Sequence, residues 1–397
     1  KNSTVHVLGD EEAVTGEIVI AKTDLEGADT IVNVDGDQTA QTNIIVRDAD
    51  VTVLGDQTAT EGYIDISSTS GTGITSTVNV GGDQEAGDYI NVTNSLLTVG
   101  TVETITDETT GEQHVVLTGG NQTADKGDIT ISNSTVEVLA DQTAAKGGIK
   151  IDKLSLVTIG TVDVDGTVLA GDQLAKEDIR IDSSTLMVMD NQTSQEGSIS
   201  VQALDDFSMV MVGGSQTAKK HIGIFGSKEH EKPTTVLVGE DQIAGEGNIA
   251  INDAQVAVKG KVVALGDGND GTGIVTLAGA TYDVGVSLQA KELNIGTIDN
   301  PSTVTINVGS LDADGKPLDT VLDVDKLAVA EGNTLHTGNV KMDKTDVTIK
   351  GAVEVGVKDE DPEKAIAANW DTEGSHLISG EGASLKANGN IRIAAAE

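Results

Sequence analysis

Acidic groups are abundant in this chain, but the groups that would turn them into a catalytic site are sparse. The 397 residues include 64 aspartates and glutamates and 6 histidines. Polysaccharide-degrading enzymes place two carboxylates around a sugar bond, and with so many carboxylates no pair stands out. The histidines fall at unrelated positions, there is no aromatic platform for sugars, and arginine occurs only at Arg47, Arg180 and Arg392. We therefore predict no catalytic residue and a protein that is not an enzyme.

Three segments begin like calcium-binding loops. Residues 266–270 resemble one copy of the calcium turn of β-rolls, which needs coordination from successive turns. Residues 163–166 and 312–315 start like calcium loops but lack the later glutamate of an EF-hand. An Asp-Gly turn explains each of them without a ligand. We predict no resident cofactor, with calcium as the open alternative.

The charge of the chain limits its partners. The formal net charge is −39 at pH 7, and the carboxylates are spread along the whole sequence. Nucleic acid is disfavoured, because neutralising phosphates requires clustered lysine and arginine. A solvated outer surface is the simplest explanation of the charge, and binding of divalent cations or basic partners is the alternative. No run of about 18 apolar residues occurs, so we predict no membrane insertion by this segment.

One five-residue motif organises the first part of the chain. Gly-Asp-Gln-Thr-Ala occurs at residues 36–40 and again at 55–59, and degenerate copies follow. Alanine usually stands two positions after the glutamine, and valine usually stands six and four positions before it. Glu11 occupies the glutamine position in an early copy. The glutamines themselves are Gln38, Gln57, Gln84, Gln122, Gln142, Gln173, Gln192, Gln216 and Gln242.

A single regular repeat, from Gln122 to Gln142, shows the strand pattern. Residues 128–132 (Asp-Ile-Thr-Ile-Ser) and 135–139 (Thr-Val-Glu-Val-Leu) alternate between polar and apolar. Such alternation is typical of strands with one buried face, and turn residues separate the two segments. With Gln-Thr-Ala, each repeat has three short strands. We therefore predict an all-β fold, a right-handed parallel β-helix (solenoid) with three short strands per coil of about 19–20 residues.

The repeat predicts aligned columns of side chains in the core. Successive coils lie about 4.8 Å apart, so equivalent Val, Ile and Ala side chains stack on one another. The glutamines share the inward parity of their apolar neighbours, and we predict that their amides form a structural ladder from coil to coil. Alanine after glutamine indicates a wall with room for a methyl group only. The aspartate before glutamine, such as Asp37, is predicted to accept backbone N–H bonds at the corner.

Surplus residues in the longer repeats mark insertions, which is where solenoids usually bind their partners. Several fall between the isoleucine and valine strands, at residues 22–30, 67–76, 202–208 and 226–234. The two longest surpluses, residues 93–114 and 152–165, are each predicted to hold an extra strand pair or a partial coil. The mixed-charge tip of one insertion is our first choice for a contact loop: Lys228, Glu229, His230, Glu231 and Lys232.

The repeat also predicts which residues occupy the valine strands and where the regular coils end. In the two longest repeats the spacing assigns Val116 and Thr118, and then Thr167 and Leu169, to the valine positions. We predict a regular β-helix over residues 1–260. Residues 261–397 are predicted to be a diverged continuation of the same helix, because the alternation persists after the glutamine motif stops. A short helical insertion is expected near residues 360–370, with Pro362 in its first turn.

Coils such as Ile-Thr-Ile-Ser-Asn-Ser-Thr-Val-Glu-Val (residues 129–138) resemble the passenger domains of bacterial autotransporter adhesins. The chain is also Gly-rich, has no cysteine, and contains 2% aromatic residues. Filamentous-haemagglutinin-like exoproteins have the same coil length. The resemblance implies export across a bacterial outer membrane, display at the cell surface, and attachment to host cells or matrix. The implied partner is a host surface protein or glycan, or a second copy of the chain during aggregation in a biofilm.

Two other functions stay open. A β-helical polysaccharide-degrading enzyme would gather carboxylates and a basic residue in a groove. A purely structural stalk would bind nothing and would present another segment.

Overall fold

The computed structural model describes residues 3–22, 30–69, 76–107, 109–227, 234–266, 272–307, 321–356 and 367–394. Within these ranges the chain forms β-strands joined by turns, and it contains no helix. It divides into two compact units. Unit 1 comprises Lys1–Gly197 and Ser208–Gly213, and unit 2 comprises Ser198–Phe207 and Gly214–Glu397.

In unit 1, each coil contributes one strand to each of three parallel ladders. The valine ladder contains Thr4–Val7, Thr30–Val34, Ala49–Val53, Ser76–Val80, Ser95–Val99, Thr135–Val138, Leu156–Ile159, Thr185–Val188 and Ser208–Val212. The glutamine ladder contains Glu11–Ala13, Gln38–Ala40, Gln57–Ala59, Gln84–Ala86, Gln122–Ala124, Gln142–Ala144, Gln173–Ala175 and Gln192–Ser194. The isoleucine ladder contains Ile18–Ala21, Ile44–Arg47, Ile64–Ser67, Ile90–Thr93, Ile129–Ser132, Ile149–Asp152 and Ile179–Asp182.

The register places equivalent residues of successive coils opposite one another. Val51 pairs with Val32 on one side and with Val78 on the other. Ile64 and Ile90 are paired in the same way, and both are completely buried. The core is therefore a set of stacked columns, two from each ladder. This confirms the predicted parallel β-helix and its three short strands per coil.

A column of serines closes the corner between the isoleucine and valine ladders. The backbone N–H of Ser95 donates to Oγ of Ser134 (3.1 Å), and that of Ser134 donates to Oγ of Ser155 (3.3 Å). The residue before the serine has a positive φ, 51° at Asn94 and 49° at Asn133. Asparagine tolerates this left-handed conformation better than most residues, which explains the Asn-Ser pairs at this turn.

The two longest repeats each contain the predicted extra strand pair. In the first, Thr101–Thr106 pairs antiparallel with Gln113–Thr118. In the second, Thr161–Val162 pairs antiparallel with Val168–Ala170. Both hairpins leave the coil after the valine strand and return before the glutamine strand.

The position of these hairpins corrects one prediction from spacing. Val116, Thr118 and Leu169 lie in hairpin strands, and Thr167 lies in the turn before Val168, so none is an inward residue of the valine ladder. The valine strands of these coils are Ser95–Val99 and Leu156–Ile159. The spacing rule failed because each hairpin inserts between the valine strand and its glutamine, and the returning strand occupies the expected distance.

Unit 2 has the same three-ladder plan. Its valine ladder contains Thr234–Val238, Ala254–Val258, Thr281–Val284, Thr303–Ile306, Thr334–Thr337, Ala352–Val355 and Ser384–Ala387. Its glutamine ladder begins with Gln216–Ala218, Gln242–Ala244 and Val262–Ala264. Its isoleucine ladder contains Ile199–Gln202, Ile222–Phe225, Ile249–Asn252, Ile274–Ala278, Leu288–Ile295, Leu322–Val329, Asp346–Ile349 and His376–Ser379.

The coils continue after the glutamine motif ends. Val262–Ala264 pairs in register with Gln242–Ala244, so valine takes the place of glutamine without a break. The glutamine and isoleucine strands then join into single strands, Leu288–Ile295 and Leu322–Val329. A further parallel ladder contains Val340–Asp343, Trp370–Glu373 and Ile391–Ala394. Most of the predicted helical insertion lies outside the described residues, and its last residue, Trp370, begins a strand.

Candidate functional site

The glutamine side chains of unit 1 form a buried column of amide hydrogen bonds, the ladder that the sequence interpretation predicts. Each Nε2 donates to the side-chain oxygen of the preceding coil, at 2.7–2.9 Å, from Gln192 back to Glu11. The glutamines in this column are completely buried. The bonds all run in one direction, so each amide joins its coil to the coils on both sides. In unit 2, Gln242 donates to Gln216 in the same way, at 2.8 Å.

Glu11 in unit 1 and Tyr282 in unit 2 are the side chains other than glutamine that bond to these amides, and each suits the direction of the bonds. Glu11 only has to accept a hydrogen bond from Gln38, and a carboxylate does so without needing a donor. In unit 2, the hydroxyl of Tyr282 donates to Oε1 of Gln242 at 2.8 Å. Tyr282 is completely buried, and this burial raises the pKa of its phenol well above the ordinary value, so the donor proton is retained.

We expect Tyr282→Phe to destabilise unit 2 by about 1–3 kcal/mol, because it leaves the buried Oε1 of Gln242 without its tyrosine donor. Urea unfolding followed by the fluorescence of the buried Trp370 measures the effect. Tyr63→Phe is the matched control, since Tyr63 is not in the buried core. Equal midpoints for Tyr282→Phe and the unchanged chain would remove the capping role.

The aspartates before the glutamines join neighbouring coils rather than closing their own turn. Oδ1 of Asp37 accepts from the backbone N–H of Asp56 (3.0 Å), and Oδ1 of Asp56 accepts from that of Asp83 (2.8 Å). One oxygen of each carboxylate is therefore committed to the backbone. Glu85, on the outer side of the next strand, loses hydration and faces Asp83, Asp56 and Asp125. Together these effects raise the pKa of its carboxyl.

Several residues singled out in the sequence lie outside the described residues. These include the whole contact loop: Lys228, Glu229, His230, Glu231 and Lys232. Residues 312–315 and most of 266–270 also lie outside. Among the residues that the structure does describe, no group of three or more His, Asp or Glu side chains is arranged to hold a metal ion. Residues 163–166 form the turn of the second hairpin, and Asp163 has a role there that the sequence did not suggest.

The two hairpins share one design at their necks. Gly100 and Gly160 begin them with φ of 97° and 106°, and each faces a glycine on the returning chain, Gly120 or Gly171. A Cβ on Gly100 would lie 2.6 Å from the Cα of Gly120, so only glycine allows this approach. The next residue is threonine in both hairpins, and its hydroxyl donates to a carbonyl of an earlier coil at 2.7 Å. The repeated Val/Ile-Gly-Thr-Val sequence was the available signal for both hairpins.

Asp163 fastens the second hairpin to the first. Its Oδ1 accepts from the backbone N–H of Val115 at 2.8 Å, and its Oδ2 lies 3.4 Å from Nδ1 of His114. The N–H bonds from Val115 and Val164, with the contribution of His114, lower the pKa of the Asp163 carboxyl. The hairpins lie two coils apart, at the same corner of unit 1. They form one surface, here called the hairpin pair (residues 101–118 and 161–170).

The hairpin pair exposes apolar side chains on an otherwise acidic chain. All six residues of Thr101–Thr106 are exposed. Within the described part of the chain, this strand pairs only with Gln113–Thr118, so its other edge has no strand neighbour. The apolar side chains that are exposed on the hairpin pair are Val102, Ile105, Val116, Val162, Val164, Val168 and Leu169. Apolar side chains beside an open strand edge are suited to contact with another macromolecule.

We expect Asp163→Ala to separate the hairpins without unfolding the coils. Exchange of the Val115 amide hydrogen should become about five- to tenfold faster, since one hydrogen bond is lost. Asp165→Ala is the matched control, because Asp165 accepts only from its own turn, at Thr167. Unchanged exchange at Val115 in Asp163→Ala would contradict the docking role.

The same contact predicts a pH dependence. The folded-state pKa of Asp163 is lowered, so its contribution is present above the ordinary value of 3.8 and is lost as pH falls through the lower folded value. The protection factor of the Val115 amide, which is the exchange rate of the unfolded chain divided by its own rate at the same pH, should therefore fall at acid pH in the unchanged chain and stay level in Asp163→Ala. If the protection of the Val115 amide changed with pH in the same way in both proteins, this role of Asp163 would be contradicted.

Two tyrosines that the sequence interpretation did not group lie together in the structure. Tyr63 and Tyr89, on successive coils of unit 1, stack with ring centroids 4.7 Å apart and an interplanar angle of 8°. They lie at the corner before the isoleucine ladder. Beside them on its outer face, Asn91 donates to Asp65 at 2.6 Å. Stacked aromatic pairs of this kind contribute about 0.5–1.5 kcal/mol beyond the area that they bury.

A shallow depression on unit 1 gathers charged groups of both signs. It has a volume of about 200 Å³ and is lined by Asp128, Gly148, Ile149, Lys150, Glu177, Asp178 and Arg180. The charges are largely engaged with one another: Arg180 lies 2.7 Å from Asp178, and Lys150 lies 2.7 Å from Asp152. Oδ1 of Asp128 accepts the N–H of Gly148 at 2.8 Å. This arrangement meets the minimum that the enzyme alternative requires, carboxylates with basic residues in a concave surface.

Comparison with known proteins adds no further constraint. In the described residues, no helix is long and apolar enough to cross a membrane. No protein family model, no curated protein and no solved structure matches this chain.

Proposed function

We propose that this chain is an adhesive segment displayed at a bacterial cell surface, and that the hairpin pair is its binding surface. The observation that carries the proposal is that, in the described part of unit 1, two linked hairpins with exposed apolar residues interrupt the three-strand coils. The coils of unit 1 need no such insertion, since the intervening coil passes from Val138 to Gln142 through three residues. Solenoid proteins commonly bind through such additions to the repeat.

The regular coils support this function by holding the hairpin pair in place. Both necks are fixed by facing glycines, and a threonine hydroxyl bonds each hairpin to an earlier coil. Asp163 then restrains the two hairpins relative to each other. A restrained surface loses little conformational entropy on binding, which favours affinity.

The charge of the chain restricts the partner. At −39 the protein repels other polyanions, so a host surface protein or a neutral glycan is favoured over nucleic acid. Aggregation between two copies requires salt or divalent cations to reduce the repulsion between them. A host-protein partner is favoured by the apolar side chains of the hairpin pair, because apolar area is the main source of affinity between proteins.

The test removes each hairpin while keeping the coil. Residues 100–121 are replaced by Leu-Ala-Asp, which is the natural corner between Val138 and Gln142, and residues 160–172 are replaced in the same way. The variants and the unchanged chain are presented to immobilised matrix proteins, to a glycan array and to beads coated with the chain itself. Circular dichroism checks that the β-helix persists.

We expect both hairpin variants to keep the β-structure and to lose the binding that the unchanged chain shows. Thr123→Ala, on the outer face of the glutamine ladder, is the control and should bind normally. Full binding by both hairpin variants would overturn the proposed surface. No binding by the unchanged chain in any of the three assays would overturn adhesion and favour the stalk.

A polysaccharide-degrading enzyme is the second candidate, favoured by the depression around Arg180. Incubation with a panel of polysaccharides and measurement of released reducing ends tests it. Activity that is lost in Asp178→Asn but kept in Asp165→Asn would support the enzyme. Absence of reducing ends across the panel would remove it.

A further inference from the structure

The distribution of methionine in this chain is uneven. There are 5 methionines in 397 residues. Met342 is buried in the core of unit 2. The other four lie close together on unit 1, in two Met-Val-Met sequences: Met187, Met189, Met209 and Met211.

The strand register brings these four residues together on the outer face of the valine ladder. Met187 is the direct partner of Met211 in the neighbouring parallel strand, and Thr185 is the partner of Met209. The intervening Leu186 and Val210 point into the core and are completely buried. Because side chains alternate along a strand, Met187, Met209 and Met211 share the outer face.

The spacing of a parallel sheet sets the size of this cluster. Met187 and Met211 are separated by about 4.8 Å between strands, and Met209 and Met211 by about 6.6 Å along one strand. Met189 follows Met187 by two residues, and its Cβ lies against Gly160 and Gly171 at the neck of the second hairpin. A methionine side chain has three rotatable bonds, so thioethers attached at these distances can converge on one point.

Core packing does not account for Met209 and Met211. Met209 is 37% and Met211 is 36% exposed, so neither fills the core. Earlier coils place polar side chains in the column that contains Met187 and Met211, namely His6, Asn33, Thr52, Asn79, Thr98, Glu137 and Thr158. Within unit 1, the last two coils replace these polar groups, and both replace them with methionine, whereas the equivalent position in unit 2 carries Leu237 and Ala257.

We propose that Met187, Met209 and Met211 bind one Cu(I) ion, with Met189 as a fourth sulfur ligand. Thioether sulfur is a soft, uncharged donor that selects Cu(I) over hard cations such as calcium and magnesium. The negative potential of the chain attracts cations in general, and the sulfur atoms provide the selectivity. Ag(I) has the same charge and similar softness, and it is a convenient probe because it is not oxidised by air.

This assignment is independent of adhesion, because it concerns a different ligand. The variant that lacks residues 100–121 keeps all four methionines and the neck against which Met189 packs, so it should bind the ion if its coils persist. Loss of adhesion therefore leaves the Cu(I) site untouched, and loss of the Cu(I) site leaves adhesion untouched.

The test is a titration of the full chain with Ag(I) in nitrate buffer, and with Cu(I) under anaerobic conditions against a chromogenic chelator. The variant Met187→Leu/Met209→Leu/Met211→Leu keeps the apolar volume of the face and should keep the fold, which circular dichroism checks. Met342→Leu is the matched control. Labelling the methionine methyl groups with ¹³C allows each site to be followed by NMR.

We expect the unchanged chain and Met342→Leu to bind about one equivalent of either ion, and the triple variant to bind none at this site. The methyl signals of the four surface methionines should shift when Ag(I) is added, and the signal of Met342 should not. Calcium should shift none of the five signals. Absence of uptake by the unchanged chain would overturn the proposal. Equal uptake by the triple variant would do the same, since it would assign the ion to the histidines.

Discussion

Replacing Gln122 with leucine is expected to destabilise unit 1 by about 2–6 kcal/mol. The side chain donates to Gln84 at 2.9 Å and accepts from Gln142 at 2.7 Å, and all three side chains are completely buried. Leucine has a similar volume, so little of the cost comes from a cavity. It comes from two buried polar groups, the oxygen of Gln84 and the amide of Gln142, which lose their partners at about 1–3 kcal/mol each.

Urea unfolding followed by far-ultraviolet circular dichroism measures this effect, and hydrogen exchange locates it at the neighbouring coils. Gln195→Leu is the matched control, because Gln195 is exposed and lies in the same unit. Its unfolding midpoint should stay close to that of the unchanged chain. If both variants unfolded at the same urea concentration, the amide column would not contribute to stability.

Gln122→Glu provides a second test of the direction of the bonds. A glutamate at this position accepts from Gln142 as before but has no proton for Gln84 when it is ionised. Its protonated form has one, so lowering the pH should recover stability relative to the unchanged chain at the same pH. Glu11 is tolerated because it lies where the column needs only an acceptor. A variant that loses relative stability as pH falls would contradict this account.

Replacing Ala144 with leucine is the second large effect that we expect, a destabilisation of about 1–3 kcal/mol or more. Ala144 is completely buried and pairs with Ala124 and Ala175 on the neighbouring coils. The fixed spacing of the coils leaves no direction in which a larger side chain could be accommodated. The extra atoms would force the glutamine ladder away from the valine and isoleucine ladders.

Ala145→Leu is the matched control for this substitution. Ala145 is the next residue, it is exposed, and the chemical change is the same. Its urea midpoint should change little, because surface substitutions away from special features usually cost less than about 0.5 kcal/mol. Similar midpoints for the two variants would show that the alanine column is not tightly packed.

The amide column and the alanine column share one physical origin. A parallel β-helix brings the same sequence position of every coil to the same place, so one residue choice is repeated along the core. Glutamine works in this setting because it carries a donor and an acceptor on one side chain and can satisfy both with its own copies. In unit 2, valine takes the place of glutamine at Val262, and Tyr282 supplies the donor to Gln242.

The distinctive surface features of this protein lie where its sequence departs from the repeat. The regular coils present a more uniform surface. The hairpin pair, the stacked Tyr63 and Tyr89, and the methionine cluster all lie on unit 1 at positions where neighbouring coils carry ordinary residues. Each provides a surface property that the repeat lacks: apolar edges, aromatic rings or thioether sulfur. The proposed adhesion and the proposed Cu(I) site rest on two of these interruptions.

The sequence by itself determined the coil and its columns. The spacing around each glutamine predicted the inward Val, Ile and Ala positions, and the register of Val32, Val51 and Val78 agrees with it. This was possible because period-2 alternation and turn residues act over a few neighbours, and the repeat displays them many times. The amide column followed from the inward parity of glutamine and from its near-constant presence at that position of the repeat.

Only the tertiary structure decided how residues from different coils meet. The spacing rule placed Val116 in the valine ladder, whereas it lies in a hairpin, because distance along the chain cannot distinguish a coil strand from a returning hairpin strand. The carboxylate of Asp163 reaches Val115, 48 residues earlier, and Met187 lies beside Met211 through the register of two coils. Such contacts depend on which coils become neighbours and on where the insertions leave them, and local sequence pattern does not encode either.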